Sequence, residues 1–323
     1  MRVLLTGATG FLGRYTLAAF SSAGVEVVAA YHKKPGVTLE RVRWVQADLS
    51  KGDDIARVVN NARATHLVHL AWRAVYGDIA SSYENLDWLQ NSLLLARKFI
   101  DAGGRRIVGC GSCFEYAWDF GICREDFTPL APATLYGATK HALHIAVNGL
   151  AKQSGVTLGW GRVFFLYGPH EHPTRLVAAV ISALLDGRLA ETSHGRQIRD
   201  YLYVRDAADA IVALTLSDAD GAFNIAAGNV VSLREIILEI ADQIGRPDLI
   251  RLGARSAQPF EPPIIVGHTA KSRAILGFEA KTDLKSGIAA TITATPAQRA
   301  SAAPAFCNSN RLQLRTTSVM SRL

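Results

Sequence analysis

Residues 6–13 read Thr6-Gly7-Ala8-Thr9-Gly10-Phe11-Leu12-Gly13, and this stretch decides the fold. It follows an apolar run that predicts a strand and precedes a pattern that predicts a helix. In that setting Gly7 permits a tight turn, Gly10 lets the backbone approach a pyrophosphate at the helix N-terminus, and Gly13 lets helix and strand pack closely. The stretch therefore predicts a dinucleotide site; a plain glycine-rich turn is the alternative.

Outward from this turn, short apolar runs alternate with longer patterns of three-to-four spacing. The predicted strands are Arg2–Thr6, Val25–Tyr31, Val42–Gln46, His66–Ala71, Arg106–Gly111 and Thr157–Val163, and the predicted helices between them are Phe11–Ser22, Asp53–Asn61, Glu84–Ala102 and Thr134–Gln153. Such alternation is typical of βαβ units on a parallel sheet. The expected fold class is α/β, a Rossmann-type doubly wound parallel sheet.

The regular alternation stops after Gly168-Pro169. Helices predicted at Arg175–Asp186, Asp206–Leu216 and Leu233–Ile244 are then separated by short strands and more Pro and Gly. We therefore expect a dinucleotide-binding domain at residues 1–168, which also receives later strands, and a smaller substrate-binding lobe at 169–292. Residues 293–323 lack acids and periodicity and predict a basic, disordered tail.

Composition excludes several classes of protein. The 323 residues are 49% hydrophobic and 20% charged, near ordinary globular usage. The formal net charge is +7, but more than half of the excess lies in the four arginines of residues 293–323, so charge alone gives little support to a nucleic-acid partner. Four cysteines do not suggest a disulfide scaffold, and no apolar run approaches a membrane span. We expect a cytoplasmic protein with neither nucleic acid nor membrane as partner.

The end of the second strand bears on the choice of dinucleotide. An NAD site usually offers a carboxylate there to the ribose 2′-hydroxyl. This chain instead has Tyr31, His32 and Lys33, followed by Lys34, which could neutralise a 2′-phosphate. NADP is therefore favoured and NAD stays open, because the lysines could also be solvated loop charges. Asp48-Leu49, after the third strand, is placed near the adenine, or else Asp48 caps the next helix or ends the strand.

A second set of residues carries catalytic chemistry. Tyr136 and Lys140 lie four residues apart, which is the same face of a helix. A neighbouring cation stabilises a phenolate and lowers the tyrosine pKa, so Tyr136 can pass a proton to or from a substrate hydroxyl while hydride moves to or from a nicotinamide. Ser112, at the end of the fifth strand, can hydrogen-bond the same substrate oxygen.

Together these motifs resemble the extended short-chain dehydrogenase/reductase family, the NAD(P)-dependent epimerases, dehydratases and reductases of nucleotide sugars. The resemblance covers about residues 1–292 and also rests on His69-Leu70-Ala71, Tyr116, Arg162, Tyr167-Gly168-Pro169, Arg199–Asp206, Phe223-Asn224-Ile225 and Leu276-Gly277. It implies Ser112, Tyr136 and Lys140 as the catalytic triad, Arg199 near the substrate diphosphate, and a homodimer formed through the helices at Glu84–Ala102 and Thr134–Gln153.

The full set of predicted binding residues follows from these motifs. Those expected at the cofactor are Gly7, Thr9, Gly10, Phe11, Leu12, Gly13, Tyr31, His32, Lys33, Asp48, Leu49, Leu70, Ala71, Tyr136 and Lys140, and those expected at the substrate are Cys113, Phe165, Arg175 and Arg199. The substrate implied by the resemblance is a nucleotide sugar.

Departures from the family pattern narrow the reaction. Dehydratases place an Asp-Glu pair after the catalytic hydroxyl residue, whereas Cys113-Phe114 stands here, with Glu115 one place later. The GDP-fucose synthase of this family uses a cysteine and a histidine to move protons during epimerisation. These two residues would fall on Phe114 and near Arg175, so that double role is not expected here. Many members of the family carry an asparagine where this chain has Phe165. A more apolar wall at the substrate would suit a deoxy-sugar; the alternative is that the ring only packs inside the protein.

We therefore expect an NADP-preferring enzyme that reduces a nucleotide-linked 4-keto-6-deoxyhexose, with Tyr136 as proton donor. The alternatives are a nucleotide-sugar 4-epimerase that retains NAD, and a non-catalytic dinucleotide-binding protein. No metal is predicted. The spacing of Cys110 and Cys113 and the group His170-Glu171-His172 match metal ligands, but a strand end and a substrate mouth are the more ordinary explanations.

Overall fold

A computed structural model describes residues 1–73, 78–257 and 261–302. Its strands are β1 (Arg2–Thr6), β2 (Glu26–Tyr31), β3 (Val42–Gln46), β4 (His66–His69), β5 (Arg106–Ser112), β6 (Ile122–Cys123), β7 (Thr157–Val163), β8 (Phe165–Tyr167), β9 (Ala190–Thr192), β10 (Ile198–Arg199), β11 (Tyr201–Tyr203), β12 (Gly221–Ile225), β13 (Val231–Ser232), β14 (Ile250–Leu252) and β15 (Ile264–Gly267). Its helices are α1 (Phe11–Ser22), α2 (Gly52–Ala62), α3 (Glu84–Asp101), α4 (Leu135–Ser154), α5 (Leu176–Leu185), α6 (Val204–Leu216), α7 (Leu233–Ile244), α8 (Ala270–Leu276) and α9 (Leu284–Ala302).

Seven parallel strands form the central sheet, in the order β12-β7-β5-β4-β1-β2-β3. Because side chains alternate across a strand, β1 buries Val3 and Leu5 in one core and Leu4 in the other. Helices α1 and α6 cover the first face, and α2, α3 and α4 cover the second. This arrangement confirms the predicted α/β fold, a Rossmann-type doubly wound parallel sheet.

A separate core lies beyond β8. It is built from α5, α7 and α9, with Ile181, Ile240 and Ile288 fully buried. Small sheets pair β11 with β8, β14 with β9, and β13, β10, β15 and β6 with one another. The chain returns to the main sheet through β12 and covers it with α6, so the later residues contribute to both parts.

The predicted tail needs correction at its start. Helix α9 runs from Leu284 to Ala302, so the change of composition after Ile292 falls inside a helix. The prediction of disorder is wrong for residues 293–302. Ile288 and Thr291 lie one turn apart on the same face of α9 and are buried against the lobe, so the helix is held in place before residue 293. Residues 303–323 lie outside the described residues. None of the helices in the described part of the chain is long and apolar enough to cross a membrane.

Candidate active site

The glycine turn between β1 and α1 has the geometry of a phosphate cradle. Gly7 adopts φ +73°, a left-handed conformation that favours glycine, and a Cβ there would lie 2.6 Å from the Ala71 backbone nitrogen. A Cβ on Gly13 would collide with the Gly7 carbonyl oxygen. Gly10 caps α1 without a side chain, which leaves the first amides of the helix facing outward. These features fit a dinucleotide pyrophosphate at the helix N-terminus.

A cavity of about 490 Å³ opens at the carboxyl ends of β1, β2 and β3. The predicted residues that line it are Gly7, Thr9, Tyr31, His32, Lys33, Asp48, Leu49 and Ala71, with Arg73, Glu84, Asp87 and Trp88 beside them. His32 and Lys33 are exposed at its edge. The Asp48 carboxylate accepts hydrogen bonds from the amide and hydroxyl of Ser50, which hold its pKa below the usual range, so Asp48 does not cap α2 with its side chain.

A second cavity, of about 440 Å³, shares Gly7 with the first and contains the catalytic candidates. The predicted residues that line it are Gly10, Phe11, Leu12, Gly13, Leu70, Ser112, Cys113, Tyr136, Phe165 and Arg175. The two cavities together bring every predicted cofactor residue except Lys140 to one continuous surface. Lys140 lies directly behind it and contacts two lining residues, Cys110 and Trp72.

The helix α4 presents Tyr136 and Lys140 in its first turns because Thr134 caps it. The Thr134 hydroxyl accepts a hydrogen bond from the Gly137 amide at 3.1 Å. Gly137 is required there, since a Cβ would collide with the Phe114 carbonyl oxygen. Ser112 ends β5 opposite this turn; its hydroxyl accepts a hydrogen bond from the Phe114 amide at 3.3 Å and lies near enough to Tyr136 to lower the pKa of the phenol.

The Lys140 ammonium is completely surrounded. It donates to the Cys110 carbonyl oxygen at 2.9 Å and lies 3.9 Å from the centre of the Trp72 ring, a cation–π contact. Burial lowers the pKa of Lys140 to about 8. The indole of Trp72 is itself held by a 2.8 Å hydrogen bond from its Nε1 to Asn85.

The electrostatics of Tyr136 differ from the sequence expectation. Burial raises the pKa of the phenol, and the nearby Cys110 adds to the rise, while the hydrogen bond with Ser112 lowers it. The expected lowering by Lys140 is not the dominant effect, because the partial removal of the phenol from water in the cavity wall has the larger, opposite effect. The chain by itself therefore keeps Tyr136 protonated at neutral pH.

Arg199 is the predicted site residue that the structure does not bring to the cavity. Its guanidinium is buried, pairs with Glu261 at 2.8 Å, and donates to the backbone carbonyls of Ile198 and Pro263. It lies behind Phe165, 5.5 Å from the ring centre. Its Nη1 and Nη2 atoms are therefore engaged within the fold, and its place near a substrate diphosphate stays a prediction.

Glu115 is also fully engaged. Its carboxylate accepts hydrogen bonds from Arg162 Nε at 2.9 Å, Trp160 Nε1 at 3.0 Å and the Ser112 amide at 2.8 Å. Both members of the Glu115–Arg162 pair are almost completely buried. Glu115 therefore fixes the end of β5 and supports Ser112, and it is not available to exchange protons with a substrate.

The geometry gives little support to a metal site. Cys110 and Cys113 are free thiols whose pKa values burial raises, the opposite of what a ligating thiolate needs. In the described ranges, the ligand atoms that come within 4.8 Å of one another belong to Glu115, His141 and His144. Since Glu115 is already neutralised by Arg162, this group is poorly suited to a cation.

Several residues that line this cavity were not among the predicted site residues, and two of them, Trp72 and Glu171, bear on its chemistry. Trp72 directly follows the recognised Leu70-Ala71, so its position one residue further along the same strand end was a usable signal. Glu171 was interpreted only as part of the group His170-Glu171-His172, for which a metal site and a substrate mouth were both weighed. Nothing in the local sequence shows that the turn after Gly168-Pro169 directs it toward the cavity.

Comparison with known proteins adds to this geometry. A family model described as the NAD dependent epimerase/dehydratase family matches residues 3–226. The UDP-glucose 4-epimerase of Azospirillum brasilense is 26% identical over 319 residues, which span 89% of this chain and 89% of that protein. The dTDP-6-deoxy-L-talose 4-dehydrogenase (NAD(+)) of Aggregatibacter actinomycetemcomitans is 24% identical over 245 residues, which span 74% of this chain and 89% of that protein.

A solved structure gives the same picture. The structure of MoeE5 in complex with UDP-glucuronic acid and NAD is similar to this chain with a TM-score of 0.81 and 27% identity. The similarity covers 92% of this chain and all of that one.

Proposed function

The chain belongs to the NAD dependent epimerase/dehydratase family, and we propose that it reduces the keto group of a nucleoside-diphosphate 4-keto-6-deoxyhexose. The observation that carries the proposal is the single cavity in which the glycine turn meets Ser112 and Tyr136. When bound, the dinucleotide supplies a hydride to the keto carbon. Residues of the chain donate the proton and orient the substrate.

Tyr136 gives its phenolic proton to the keto oxygen as the carbon is reduced. Because burial raises its pKa, the phenol carries that proton at neutral pH. Ser112 orients the same oxygen through its hydroxyl. Lys140 faces Tyr136 from one turn along α4 and stabilises the phenolate that remains until water returns the proton.

Reduction is favoured over dehydration by the state of Glu115. Elimination of water requires an acid and a base beside the sugar. The residues that line the cavity after Ser112 are Cys113 and Phe114, and Glu115 is held by Arg162 and Trp160.

We propose NADP as the cofactor, with NAD as the alternative. His32 and Lys33 stand exposed at the rim of the adenosine-side cavity, where a 2′-phosphate would add negative charge. Relatives crystallised with NAD support a dinucleotide in this place without distinguishing the two.

The second candidate is a 4-epimerase that oxidises and re-reduces one carbon with retained NAD. The similarity to UDP-glucose 4-epimerases favours it. Loss of absorbance at 340 nm when NADPH and a 4-keto-6-deoxy sugar nucleotide are mixed with the protein would support reduction. Tightly bound NAD in the purified protein, with UDP-glucose converted and no net consumption of cofactor, would support epimerisation instead.

We also propose a cytoplasmic homodimer assembled through α3 and α4. Leu86 on α3 and Ile145 on α4 leave large apolar side chains exposed, 47% and 57% respectively. Such a face is stabilised by a second copy. Light scattering of the eluted protein measures the mass and tests this.

A further inference from the structure

The second cavity contains an acidic side chain that the proposed reaction does not use. Glu171 follows the turn Gly168-Pro169-His170 and lines the cavity together with Ser112, Tyr136 and Phe165. Its side chain is only 3% exposed. Within the part of the chain that the structure describes, its Oε2 atom is buried and has no hydrogen-bond partner.

Two neighbouring groups, the Arg175 guanidinium and the Ala178 amide, interact with the carboxylate of Glu171. Arg175 Nε lies 3.5 Å from Oε1, and the backbone amide of Ala178, in the first turn of α5, also faces the carboxylate. A buried polar atom without a partner costs free energy, so it calls for an explanation, such as a ligand, an ordered water or an ion that completes it. Packing alone therefore does not explain this carboxylate.

The neighbouring wall is aromatic. The ring of Tyr201 stacks on Phe165 with centres 5.7 Å apart, and Phe165 in turn approaches Phe114 at 6.4 Å. A pyranose offers an apolar face and a rim of hydroxyl donors, which match such a wall and a single carboxylate acceptor.

We propose that Glu171 binds the hexose of the nucleotide sugar by accepting a hydrogen bond from a ring hydroxyl at Oε2, while Arg175 holds the carboxylate in place. This inference rests on the proposed function, because it presupposes a nucleotide-sugar substrate. It makes Glu171 a specificity-determining residue: neutral hexoses are accepted, and a uronic acid is disfavoured because two carboxylates would share one poorly hydrated cavity.

The contact has a pH dependence of defined sign. Burial raises the pKa of Glu171 to about 7, although Arg175 and the Ala178 amide lower it. Tyr201 also faces it, and because burial raises the pKa of Tyr201 to about 12, that phenol stays neutral. Glu171 is thus ionised above pH 7, where it is the stronger acceptor, and sugar binding weakens as the pH falls below 7.

Binding titrations of the cofactor-loaded protein test this without turnover. The probes are UDP, UDP-glucose and UDP-glucuronic acid, with the dTDP and dTDP-glucose pair as a second base. At pH 8, Glu171→Gln should weaken UDP-glucose binding about 10-fold to 100-fold and leave UDP unchanged. It should also reduce the preference for UDP-glucose over UDP-glucuronic acid and flatten the pH profile between 6 and 8. Glu171→Asp, which keeps the charge, should retain that pH dependence.

The matched control is Glu191→Gln, which removes a carboxylate of the same lobe that is 51% exposed and outside this cavity. It should bind every probe like the wild type. If Glu171→Gln is folded, as judged by an unchanged melting temperature, and binds UDP-glucose as tightly as the wild type, the inference is wrong while the proposed function stands. If the wild type binds neither UDP-glucose nor dTDP-glucose but still oxidises NADPH with a 4-keto-6-deoxy sugar nucleotide, the inference is wrong and the proposed function stands; if it does neither, both are wrong.

Discussion

Tyr136 holds its proton more tightly than an exposed tyrosine because its partial burial in the cavity wall disfavours the phenolate. Its burial beside Ser112 makes it a proton donor at neutral pH, the role that reduction of a keto group requires. The same argument makes its hydroxyl indispensable while its ring is needed only for packing against Trp72 and Phe114.

Replacing Tyr136 with Phe should therefore lower kcat about 10²-fold to 10⁴-fold. The binding of NADPH, measured by fluorescence titration, should change little because the ring is kept. Steady-state rates at 340 nm measure the effect. Turnover that survives this substitution intact would remove Tyr136 from the mechanism.

Lys140 adds a pH dependence. Its pKa is lowered to about 8, so the ammonium is present below pH 8 and is lost as the pH rises further. The reduction rate should fall above about pH 8, and Lys140→Met should be nearly inactive across the whole range. A profile of kcat that stays flat from pH 7 to 9.5 would contradict this role.

At the scale of the elements, the end of β5 depends on a buried ion pair. Glu115 and Arg162 meet at 2.9 Å with almost no solvent contact, and Glu115 also holds the Ser112 amide and the indole of Trp160. Removing one partner leaves the other charge buried and unpaired, which is far costlier than losing a surface pair.

Glu115→Ala should thus lower the free energy of unfolding by about 3–5 kcal/mol. The matched control is Glu26→Ala, whose carboxylate pairs with Arg2 at 2.8 Å on the surface and should cost about 0–1 kcal/mol. Urea titrations followed by circular dichroism measure both. Equal costs for the two variants would mean that the buried pair is not the support of this strand end.

We propose that the end of β2 sets the cofactor preference. Lys33 lies exposed beside the adenosine-side cavity, and Lys33→Glu should place repulsion where a 2′-phosphate binds. The ratio of kcat/KM for NADPH to that for NADH should drop about tenfold or more. Lys285→Glu, an exposed lysine on α9, should leave the ratio unchanged. An unaltered ratio in Lys33→Glu would favour NAD as the natural cofactor.

At the scale of the whole molecule, sequence periodicity predicted six of the seven strands of the main sheet and the helices that cover it, but not the edge strand β12. The strands β1, β3 and β7 and the helices α1 and α7 have the predicted bounds, because their signals are local runs, caps and turns. The site was predictable where residues lie at strand ends, as Gly7 and Ser112 do. The pairing of Arg199 with Glu261 was not predictable, and neither was the unpartnered oxygen of Glu171, because only tertiary packing creates these environments.

The last helix shows what the chain needs in order to fold. Ile288 is completely buried in the core of the lobe, whereas residues 303–323 carry three of the basic residues and none of the predicted chemistry. Deleting 303–323 should leave the melting temperature and kcat unchanged. Truncation after residue 283, which removes α9, should expose that core and lower the melting temperature sharply. A large loss from the shorter deletion would show that the tail takes part in the fold.

The central claim is that the whole molecule brings a dinucleotide hydride and the Tyr136 proton to one keto group. Its most direct test uses two samples of NADPH, each carrying deuterium at C4 of the nicotinamide but on opposite faces of the ring. Each sample is mixed with the protein and a nucleoside-diphosphate 4-keto-6-deoxyglucose. We predict one deuterium at C4 of the reduced sugar from one of the two labelled faces, with an equal amount of NADP⁺ formed. A product without deuterium from either label, or conversion with no NADP⁺ formed, would contradict the proposal.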